Sequence, residues 1–258
     1  MKPKILIVRK MSALEYHYNG NHKSAALKES HEEHNENVDK ILEKLEKAGF
    51  LYKVVTRDEL TEPSVDEYDF VFSAGGDGTV IATAAFNKNK PQLNLKTDIK
   101  SKGALCHQDI EKTLENFVKG DYKIEEWTRQ DVYLDNRFVR RVLNETIVGE
   151  LLKLSKMARY NIQVDGKTEY HENSGIVIVT GTGSGGWKNA FERYERSSDV
   201  FKYVTVIPNG NGEGKYFNIE YKGHEGKFAL DTIEYDIPRD SVLEIKLSEN
   251  PLKVIKLV

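Results

Sequence analysis

The stretch DFVFSAGGDGTV, residues 69–80, joins an apolar strand pattern to a cluster of small residues. Residues 69–74 predict a buried strand and residues 80–86 predict a helix, so the glycines fall at a strand-to-helix junction. Three glycines in four positions let the backbone turn tightly and approach a ligand closely. Because free backbone N–H groups at such a turn favour anions, as does the helix N-terminus that follows, the sequence predicts a phosphate-binding loop.

Asp77 is the charged residue of this loop. A carboxylate repels phosphate unless a metal or a proton-transfer step requires it. Phosphoryl transfer to an alcohol requires both, because Mg²⁺ neutralises the phosphates and a base accepts the hydroxyl proton. The loop therefore favours a phosphotransferase, and the structural alternative is a plain Gly-Asp-Gly turn that caps a helix.

The first half of the chain alternates strand and helix patterns around this loop. A buried strand pattern covers residues 4–8, apolar residues follow helical spacing over 38–45, and a further strand pattern covers 51–56. This alternation predicts a parallel sheet with helices on its faces. From about residue 120, strand segments follow one another with turn signals such as the Asp-Gly pair at 165–166, as is typical of antiparallel sheets.

The expected fold class is therefore α/β, with a Rossmann-like N-terminal α/β domain and a β-rich C-terminal domain. We expect the first domain, which carries the GGDGT loop, over residues 1–119, and the second over residues 120–245. The strand-like segment 246–258 is expected to pack back on the first domain.

Composition excludes several classes of protein. The chain has 258 residues, of which 39% are hydrophobic, and 38 Lys and Arg against 41 Asp and Glu give a net charge of -3. This balance argues against a dedicated nucleic-acid binder, and no apolar run reaches the roughly 18 residues of a membrane span. The lone Cys106 excludes an intrachain disulfide. A buried strand pattern at the start, without a targeting pattern, predicts a cytoplasmic location.

Three further patterns bear on function. The segment 180–187, Thr-Gly-Thr-Gly-Ser-Gly-Gly-Trp, follows a buried strand and indicates either a backbone-lined anion or sugar site or a β-turn without a ligand. Asn144-Glu145 ends another strand, and an amide beside a carboxylate can hold ribose hydroxyls or an adenine edge. The pattern His31-Glu-Glu-His34 lacks the spacing of a zinc-binding H-E-x-x-H helix and predicts a solvated helix start.

Taken together and in this order, the GGDGT loop, the Asn-Glu pair and the glycine-rich Thr-Gly segment resemble the NAD kinase family. The match is closest to the mitochondrial-type branch of that family. Here the glycine-rich segment is Thr-Gly-Thr-Gly-Ser followed by Trp187, whereas most bacterial members have Thr-Pro-Thr-Gly-Ser/Thr with a Tyr. The resemblance covers residues 4 to about 190.

This resemblance implies a two-domain protein that transfers the ATP γ-phosphate to the 2′-hydroxyl of the adenosine ribose of NAD, giving NADP. It implies Asp77 as the general base, ATP bound with Mg²⁺ or another divalent cation, and a homodimer or higher homo-oligomer; no direct protein ligand of a metal is assigned. The residues implied to bind NAD or ATP are Gly75, Gly76, Gly78, Thr79, Lys96, Thr97, Asn144, Glu145, Ser174, Thr180, Gly181, Thr182, Gly183, Ser184 and Trp187, with Lys10 as a further phosphate contact.

The sequence departs from the family pattern at three places. Lys96 stands where the family usually has an Asn, and a Lys either pairs with a diphosphate or crowds the site. Ser174 stands where many members carry an Asp near the nicotinamide. The family's late Asp-Gly is here Asp231-Thr232, which leaves a phosphate contact there in doubt.

Two alternatives remain at this point. A lipid kinase of the diacylglycerol or sphingosine class shares the GGDGT loop, although the Asn-Glu pair and the 180–184 segment speak against it. A nucleotide-binding regulatory protein that has lost catalysis is compatible with Lys96 and with the missing late glycine.

Overall fold

The computed structural model describes residues 2–16, 25–150, 157–206 and 210–258. The chain divides into two compact units, one formed by Met1–Glu125 with Leu252–Val258 and the other by Glu126–Pro251. Each unit is described by itself below.

The strands are β1 Lys4–Arg9, β2 Leu51–Thr56, β3 Phe70–Gly75, β4 Gln92–Lys96, β5 Tyr122–Trp127, β6 Gln130–Leu134, β7 Arg137–Val142, β8 Glu145–Gly149, β9 Ala158–Val164, β10 Lys167–Asn173, β11 Gly175–Val179, β12 Phe201–Val206, β13 Asn211–Gly214, β14 Tyr216–Tyr221, β15 Glu225–Leu230, β16 Ile233–Pro238, β17 Val242–Leu247 and β18 Leu252–Leu257. The helices are α1 Ala13–Tyr16, α2 Ala25–Ala48, α3 Glu62–Asp66, α4 Asp77–Phe86 and α5 Ile110–Lys119, with short 3-10 turns at Arg57–Glu59 and Gly183–Gly185.

The first unit is built on one sheet with the strand order β2-β1-β3-β4-β18-β5, in which β2, β1, β3, β4 and β18 pair in parallel. Side chains alternate between its two faces, as the pleat requires. Ile5 and Ile7 pack against helices α2 and α5, whereas Leu6 and Val8 pack on the opposite face with Val65 of α3. A largely parallel sheet with apolar clusters on both faces confirms the predicted α/β class.

Helix α2 is longer than the apolar spacing predicted. It begins at Ala25, and its buried stripe runs from Val38 to Leu45. The earlier turns are polar, so hydrophobic periodicity does not detect them, and their buried residue is His34. The helix ends at Ala48, and the φ of 78° at the following Gly49 is the left-handed conformation that favours glycine after a helix.

The second unit contains two six-stranded antiparallel sheets, ordered β10-β9-β14-β17-β6-β7 and β13-β12-β11-β8-β15-β16. Its core is shared by side chains of both sheets, such as Tyr160 and Phe217 from the first and Ile176 and Phe228 from the second. The sheets therefore pack face to face over one apolar layer.

None of the helices in the described ranges is long and apolar enough to cross a membrane.

Candidate functional site

The GGDGT loop connects β3 directly to α4, with one residue between the two elements. Strand β3 ends at Gly75, Gly76 is the N-cap, and helix α4 begins at Asp77. A Cβ atom on Gly75 would lie 2.2 Å from Thr79 Oγ1, and one on Gly76 would lie 2.5 Å from the Lys102 carbonyl oxygen. These two glycines are therefore required by the packing of the chain on itself.

The backbone N–H groups of this loop are less free than the sequence predicted. Asp77 N–H donates to the Lys102 carbonyl at 3.0 Å, and Thr79 N–H donates to the Gly76 carbonyl at 2.9 Å. The Asp77 N–H at the start of α4 thus holds the loop that follows β4. Fewer backbone N–H groups remain for a ligand here than at an isolated helix N-terminus.

The Asp77 side chain clamps the same loop. Its Oδ1 accepts from Leu105 N–H at 2.9 Å and its Oδ2 accepts from Ala104 N–H at 3.2 Å. A carboxylate oxygen has two lone pairs, so each oxygen retains one for a further donor. Asp77 is half-exposed and is held in one orientation by these bonds, which is what a general base requires.

Gly78 differs from its two neighbouring glycines. It is exposed, and a Cβ there would meet nothing closer than Arg57 Nη1 at 3.8 Å. The packing of the first unit therefore gives no reason for glycine at this position, and the bare backbone is open to a ligand beside Asp77.

Lys10 and Thr97 both belong to a buried polar network. Lys10 Nζ is paired with Asp98 Oδ2 and donates to Ser101 Oγ at 3.1 Å. Burial would raise the pKa of Asp98, but the hydrogen bond from Lys10 and those from neighbouring donors outweigh it and lower that pKa to about 2. The charge of Lys10 is thus compensated within the first unit, and Lys10 positions the loop after β4.

His34 completes this network. The sequence pattern predicted a solvated position for it, and that prediction is wrong. It is fully buried, with Nδ1 2.7 Å from Thr97 Oγ1 and Nε2 3.1 Å from the Lys10 carbonyl oxygen. Burial, followed by the charge of Lys10, lowers its pKa to about 4, so the ring is neutral, with Nε2–H donating and Nδ1 accepting. His34 therefore fixes helix α2 to β1 and to the end of β4.

Lys96 is the last residue of β4, and its N–H donates to the His107 carbonyl at 3.0 Å. Its aliphatic stem covers Gly103, because a Cβ on that glycine would lie 2.7 Å from Lys96 Cδ. The side chain therefore packs over the loop whose next residues hold Asp77.

In the second unit, the glycine-rich segment packs directly on the Asn144-Glu145 turn. Thr180 N–H donates to the Asn144 carbonyl at 2.8 Å, and Thr180 Oγ1 donates to the Leu143 carbonyl at 2.5 Å. A Cβ on Gly183 would lie 2.2 Å from the Asn144 carbonyl oxygen. Two motifs that are separated by more than 30 residues in the sequence thus form one wall.

Two polar atoms of this wall have no partner. Within the described ranges, Asn144 Oδ1 and Thr182 Oγ1 are buried and make no hydrogen bond. Buried polar groups are nearly always hydrogen-bonded, so orphaned atoms on neighbouring motifs indicate a place for a polar ligand.

Glu145 has the most perturbed carboxyl of the wall. Burial, followed by the negative charge of Asp231, raises its pKa to about 8, against a hydrogen bond from the Trp187 side chain that lowers it. Trp187 is half-buried and packs with Val177 and Phe191 on the outer face of β11. Trp187 therefore packs part of its ring on β11 and leaves part of it exposed.

Asp231 supports the Asn144-Glu145 turn, a contact that the sequence patterns did not predict. Its Oδ1 accepts from Asn144 N–H at 2.7 Å and its Oδ2 from Leu143 N–H at 3.1 Å. The sequence signal at this place was the departure from the family's late Asp-Gly, which left a phosphate contact in doubt and did not indicate support of the Asn-Glu turn.

The structure brings most of the sequence-predicted residues into these two groups. The first unit joins Gly75, Gly76, Asp77, Gly78 and Thr79, and the second joins Asn144, Glu145, Thr180, Gly181, Thr182, Gly183, Ser184 and Trp187. Ser174 lies at the other end of β11, about 20 Å from Thr180 along the strand, where its N–H donates to the Val206 carbonyl at 2.8 Å.

A glycine loop with an oriented carboxylate and a polar wall with orphaned acceptors are features of a nucleotide-binding phosphotransferase. Among curated proteins, the chain is 29% identical over 212 residues to "NAD kinase 2, mitochondrial" of Homo sapiens, covering 63% of this chain and 48% of that protein. It is 30% identical over 157 residues to an NAD kinase of Saccharolobus islandicus, covering 58% of this chain and 56% of that protein. The chain therefore spans about half the length of the curated relatives it matches.

Solved structures of NAD kinases share the fold. The structure of an NAD kinase from Archaeoglobus fulgidus in complex with ATP matches with a TM-score of 0.71 at 19% identity, covering 98% of this chain and 94% of that one. Yeast NADH kinase complexed with NADH matches with a TM-score of 0.78 at 12% identity, covering 100% and 84%. No model of a protein family matches the chain. The predicted resemblance is confirmed: the chain is similar to NAD kinases in sequence and has their fold.

Proposed function

We propose that this chain is an NAD kinase, which transfers the γ-phosphate of ATP to the 2′-hydroxyl of the adenosine ribose of NAD and gives NADP and ADP. The observation that carries the proposal is Asp77: a half-exposed carboxylate, oriented by two backbone N–H groups, beside the open backbone of Gly78. The likeness to NAD kinases supports the choice of NAD over a lipid alcohol.

In the proposed reaction, the 2′-oxygen bonds to the γ-phosphorus while the bond from that phosphorus to the oxygen bridging the β- and γ-phosphates breaks. Asp77 accepts the hydroxyl proton through a lone pair that its two backbone bonds leave available. The dinucleotide is bound by Asn144, Glu145 and Thr182. Within the described ranges, Asn144 Oδ1 and Thr182 Oγ1 are buried without a hydrogen-bond partner, and the Glu145 carboxyl has a raised pKa.

A divalent cation such as Mg²⁺, bound with ATP, would neutralise the phosphate oxygens. Within the described ranges, no three or more His, Cys, Asp or Glu side chains converge in a way that suits a metal ion. We propose that the triphosphate itself supplies the ligands of the cation, because hard cations such as Mg²⁺ prefer phosphate oxygens and water.

We further propose a homodimer or higher homo-oligomer and a cytoplasmic location. The homo-oligomer is what the resemblance to NAD kinases implies, and the location is an expectation that no observation of the fold bears on. Sedimentation of the purified chain tests the first, and cell fractionation tests the second.

The proposed activity is tested by incubating the protein with ATP, Mg²⁺ and NAD and reading NADP with an NADP-specific dehydrogenase. We expect NADP to form, and diacylglycerol and sphingosine offered in place of NAD to stay unmodified. Phosphorylation of either lipid with NAD unchanged would support the lipid kinase. NAD binding without any transfer would support the regulatory protein.

Substitution of Gly78 by alanine separates binding from packing. Its Cβ would meet no atom closer than 3.8 Å, so we expect the free energy of unfolding to stay within about 0.5 kcal/mol of the original. A methyl group on the open backbone should lower kcat/KM for ATP by about tenfold, which corresponds to 1.4 kcal/mol.

Gly75→Ala is the matched comparison for Gly78→Ala. Its Cβ would clash with Thr79 Oγ1 at 2.2 Å, so we expect a clear loss of stability. Unchanged ATP kinetics in Gly78→Ala would remove this glycine from the site.

A further inference from the structure

The chain that follows the glycine-rich segment, residues 193–196, packs back against that segment. A Cβ on Gly181 would lie 2.0 Å from the Glu195 carbonyl oxygen and 2.6 Å from its carbonyl carbon. Tyr194 Oη donates to the carbonyl of Val179, the last residue of β11, at 2.6 Å. The backbone here is therefore fixed at two places beside the glycine-rich segment.

Arg193 directs its guanidinium toward the same segment. A Cβ on Gly185 would lie 3.7 Å from Arg193 Nε, 3.9 Å from Nη2 and 4.0 Å from Cζ. Since both nitrogens are nearer than the carbon between them, the Nε–Nη2 edge of the guanidinium is turned toward Gly185. These are ordinary contact distances, so the missing side chain of this glycine leaves space in front of the N–H groups.

This guanidinium has no partner among the residues that the structure describes. Arg193 is exposed, and it makes no hydrogen bond or ion pair within the described ranges, although Glu192 and Glu195 are close to it in the sequence. The Nε–Nη2 edge of an arginine carries two parallel N–H groups that match two oxygens of a carboxylate or a phosphate. The geometry is therefore that of a fork without its oxyanion.

A second observation indicates a ligand at the same turn. Thr182 is 6% exposed, and in the described part of the chain its Oγ1 is buried without a hydrogen-bond partner. Thr182 precedes the 3-10 turn Gly183–Gly185, three residues from the glycine that Arg193 faces. A ligand that satisfies both groups is polar in one part and anionic in the next, as a nucleotide is.

The charge of the neighbouring turn favours a cation at this place. Glu145 belongs to that turn, and Asp231 accepts hydrogen bonds from its backbone. A diphosphate bound beside acidic side chains meets Coulomb repulsion that a nearby positive charge offsets. Arg193 supplies such a charge without first having to leave a carboxylate partner.

We infer that Arg193 binds a phosphate group of the dinucleotide through its Nε and Nη2 N–H groups, over the open backbone of Gly185. Thr182 and Asn144 then hold the adjoining nucleoside. The inference rests on the proposed function for the identity of the ligand as a dinucleotide, and it does not depend on phosphoryl transfer.

Calorimetry on Arg193→Gln tests the contact. NAD affinity should fall about tenfold or more, because a charge-assisted pair of hydrogen bonds is lost. Adenosine and nicotinamide riboside, which carry no phosphate, should bind the variant and the original chain equally. Arg193→Lys keeps the charge without the fork and should lose less affinity for NAD.

The matched control is Arg239→Gln. Arg239 is an exposed arginine that follows β16, at the end of that strand away from Asp231, and its Nε lies 3.8 Å from Asp240 Oδ2. This control should leave NAD affinity unchanged. Both glutamine variants should unfold at the temperature of the original chain, since neither guanidinium is buried.

Salt dependence separates a charge contact from a structural effect. The NAD affinity of the original chain should fall as NaCl rises from about 0.05 M to about 0.5 M, because salt screens an exposed ion pair. Arg193→Gln should show a smaller fall. A substitution that merely disturbs the glycine-rich segment would lower affinity equally at every salt concentration.

Chemical modification shows where the phosphate lies. Phenylglyoxal modifies accessible guanidinium groups, and mass spectrometry of peptides follows each arginine separately. NAD should protect Arg193 and leave Arg239 reactive, whereas the two nucleosides should protect neither.

Unchanged NAD affinity and salt dependence in Arg193→Gln, or equal modification of Arg193 with and without NAD, overturns the inference. Loss of ATP affinity with intact NAD affinity also overturns it, because Arg193 then serves the triphosphate. NADP formation by an Arg193→Gln variant that binds NAD normally leaves the proposed function in place without the inference. Binding of NAD that depends on Arg193, in a protein that forms no NADP, supports the inference and contradicts the proposed function.

Discussion

Asp77→Asn is expected to lower the turnover number by about 10²-fold or more while NAD binding persists. A ribose hydroxyl is a poor nucleophile at neutral pH, and general-base catalysis contributes about 10²–10⁴-fold. An amide still accepts a hydrogen bond from the hydroxyl but does not take its proton. The measurement is kcat with saturating ATP and NAD, together with NAD affinity by calorimetry.

Asp77→Asn is also expected to change the stability of the protein, so the free energy of unfolding must be measured beside turnover. Asp77 also holds Ala104 and Leu105 by their N–H groups, and an asparagine keeps one acceptor oxygen but turns an amide donor toward the other N–H. We therefore expect a loss of about 1 kcal/mol in the free energy of unfolding, too small to explain the loss of turnover. Asp58→Asn, at an exposed carboxylate of the same unit, should change neither property. Near-normal turnover in Asp77→Asn would contradict the base assignment.

Gly183→Ala is expected to damage the second unit in both stability and binding. A Cβ at this position would lie 2.2 Å from the carbonyl oxygen of Asn144 and 2.6 Å from its carbonyl carbon, and neither backbone atom can rotate away. Overpacking of this kind costs about 1–3 kcal/mol of stability. Because the displaced residue is Asn144, NAD affinity should fall about tenfold or more, the equivalent of 1.4 kcal/mol.

Gly186→Ala is the matched control within the same segment. Gly186 is exposed, has a φ of -80° that alanine adopts readily, and its Cβ would lie 3.4 Å from the nearest atom, the Gly183 carbonyl oxygen. Thermal unfolding and NAD calorimetry on both variants give the comparison. Equal behaviour of the two would show that the glycine-rich segment does not support the Asn144-Glu145 turn.

The fold was largely predictable because its signals are local. The apolar alternation of β1 and the strand-to-helix transition at Gly75 each depend on a few adjacent residues, and the structure contains both elements. The polar first half of α2 was missed, since its buried contact is His34, and a histidine among glutamates resembles a solvated surface.

Sequence patterns propose candidate site residues but do not show how those residues are held in place. Sequence patterns selected Asp77 and Glu145 from their motifs, yet the N–H groups that hold Asp77 come from residues 104 and 105. Likewise, Asp231 is 86 residues from Glu145 in the sequence. Such long-range hydrogen bonds leave no periodic trace, so only the folded chain shows which side chains position the motifs.

The central claim is that this chain places a phosphate on the 2′-oxygen of NAD. The most direct measurement uses ATP labelled with ³²P at the γ-position, Mg²⁺ and NAD, with the labelled product isolated and its phosphate located by ³¹P NMR. We predict one labelled dinucleotide, with a phosphomonoester at the 2′-position of the adenosine ribose, and much less of it with Asp77→Asn. Label confined to ATP and inorganic phosphate, or transferred to a lipid alcohol while NAD stays unlabelled, would contradict the claim.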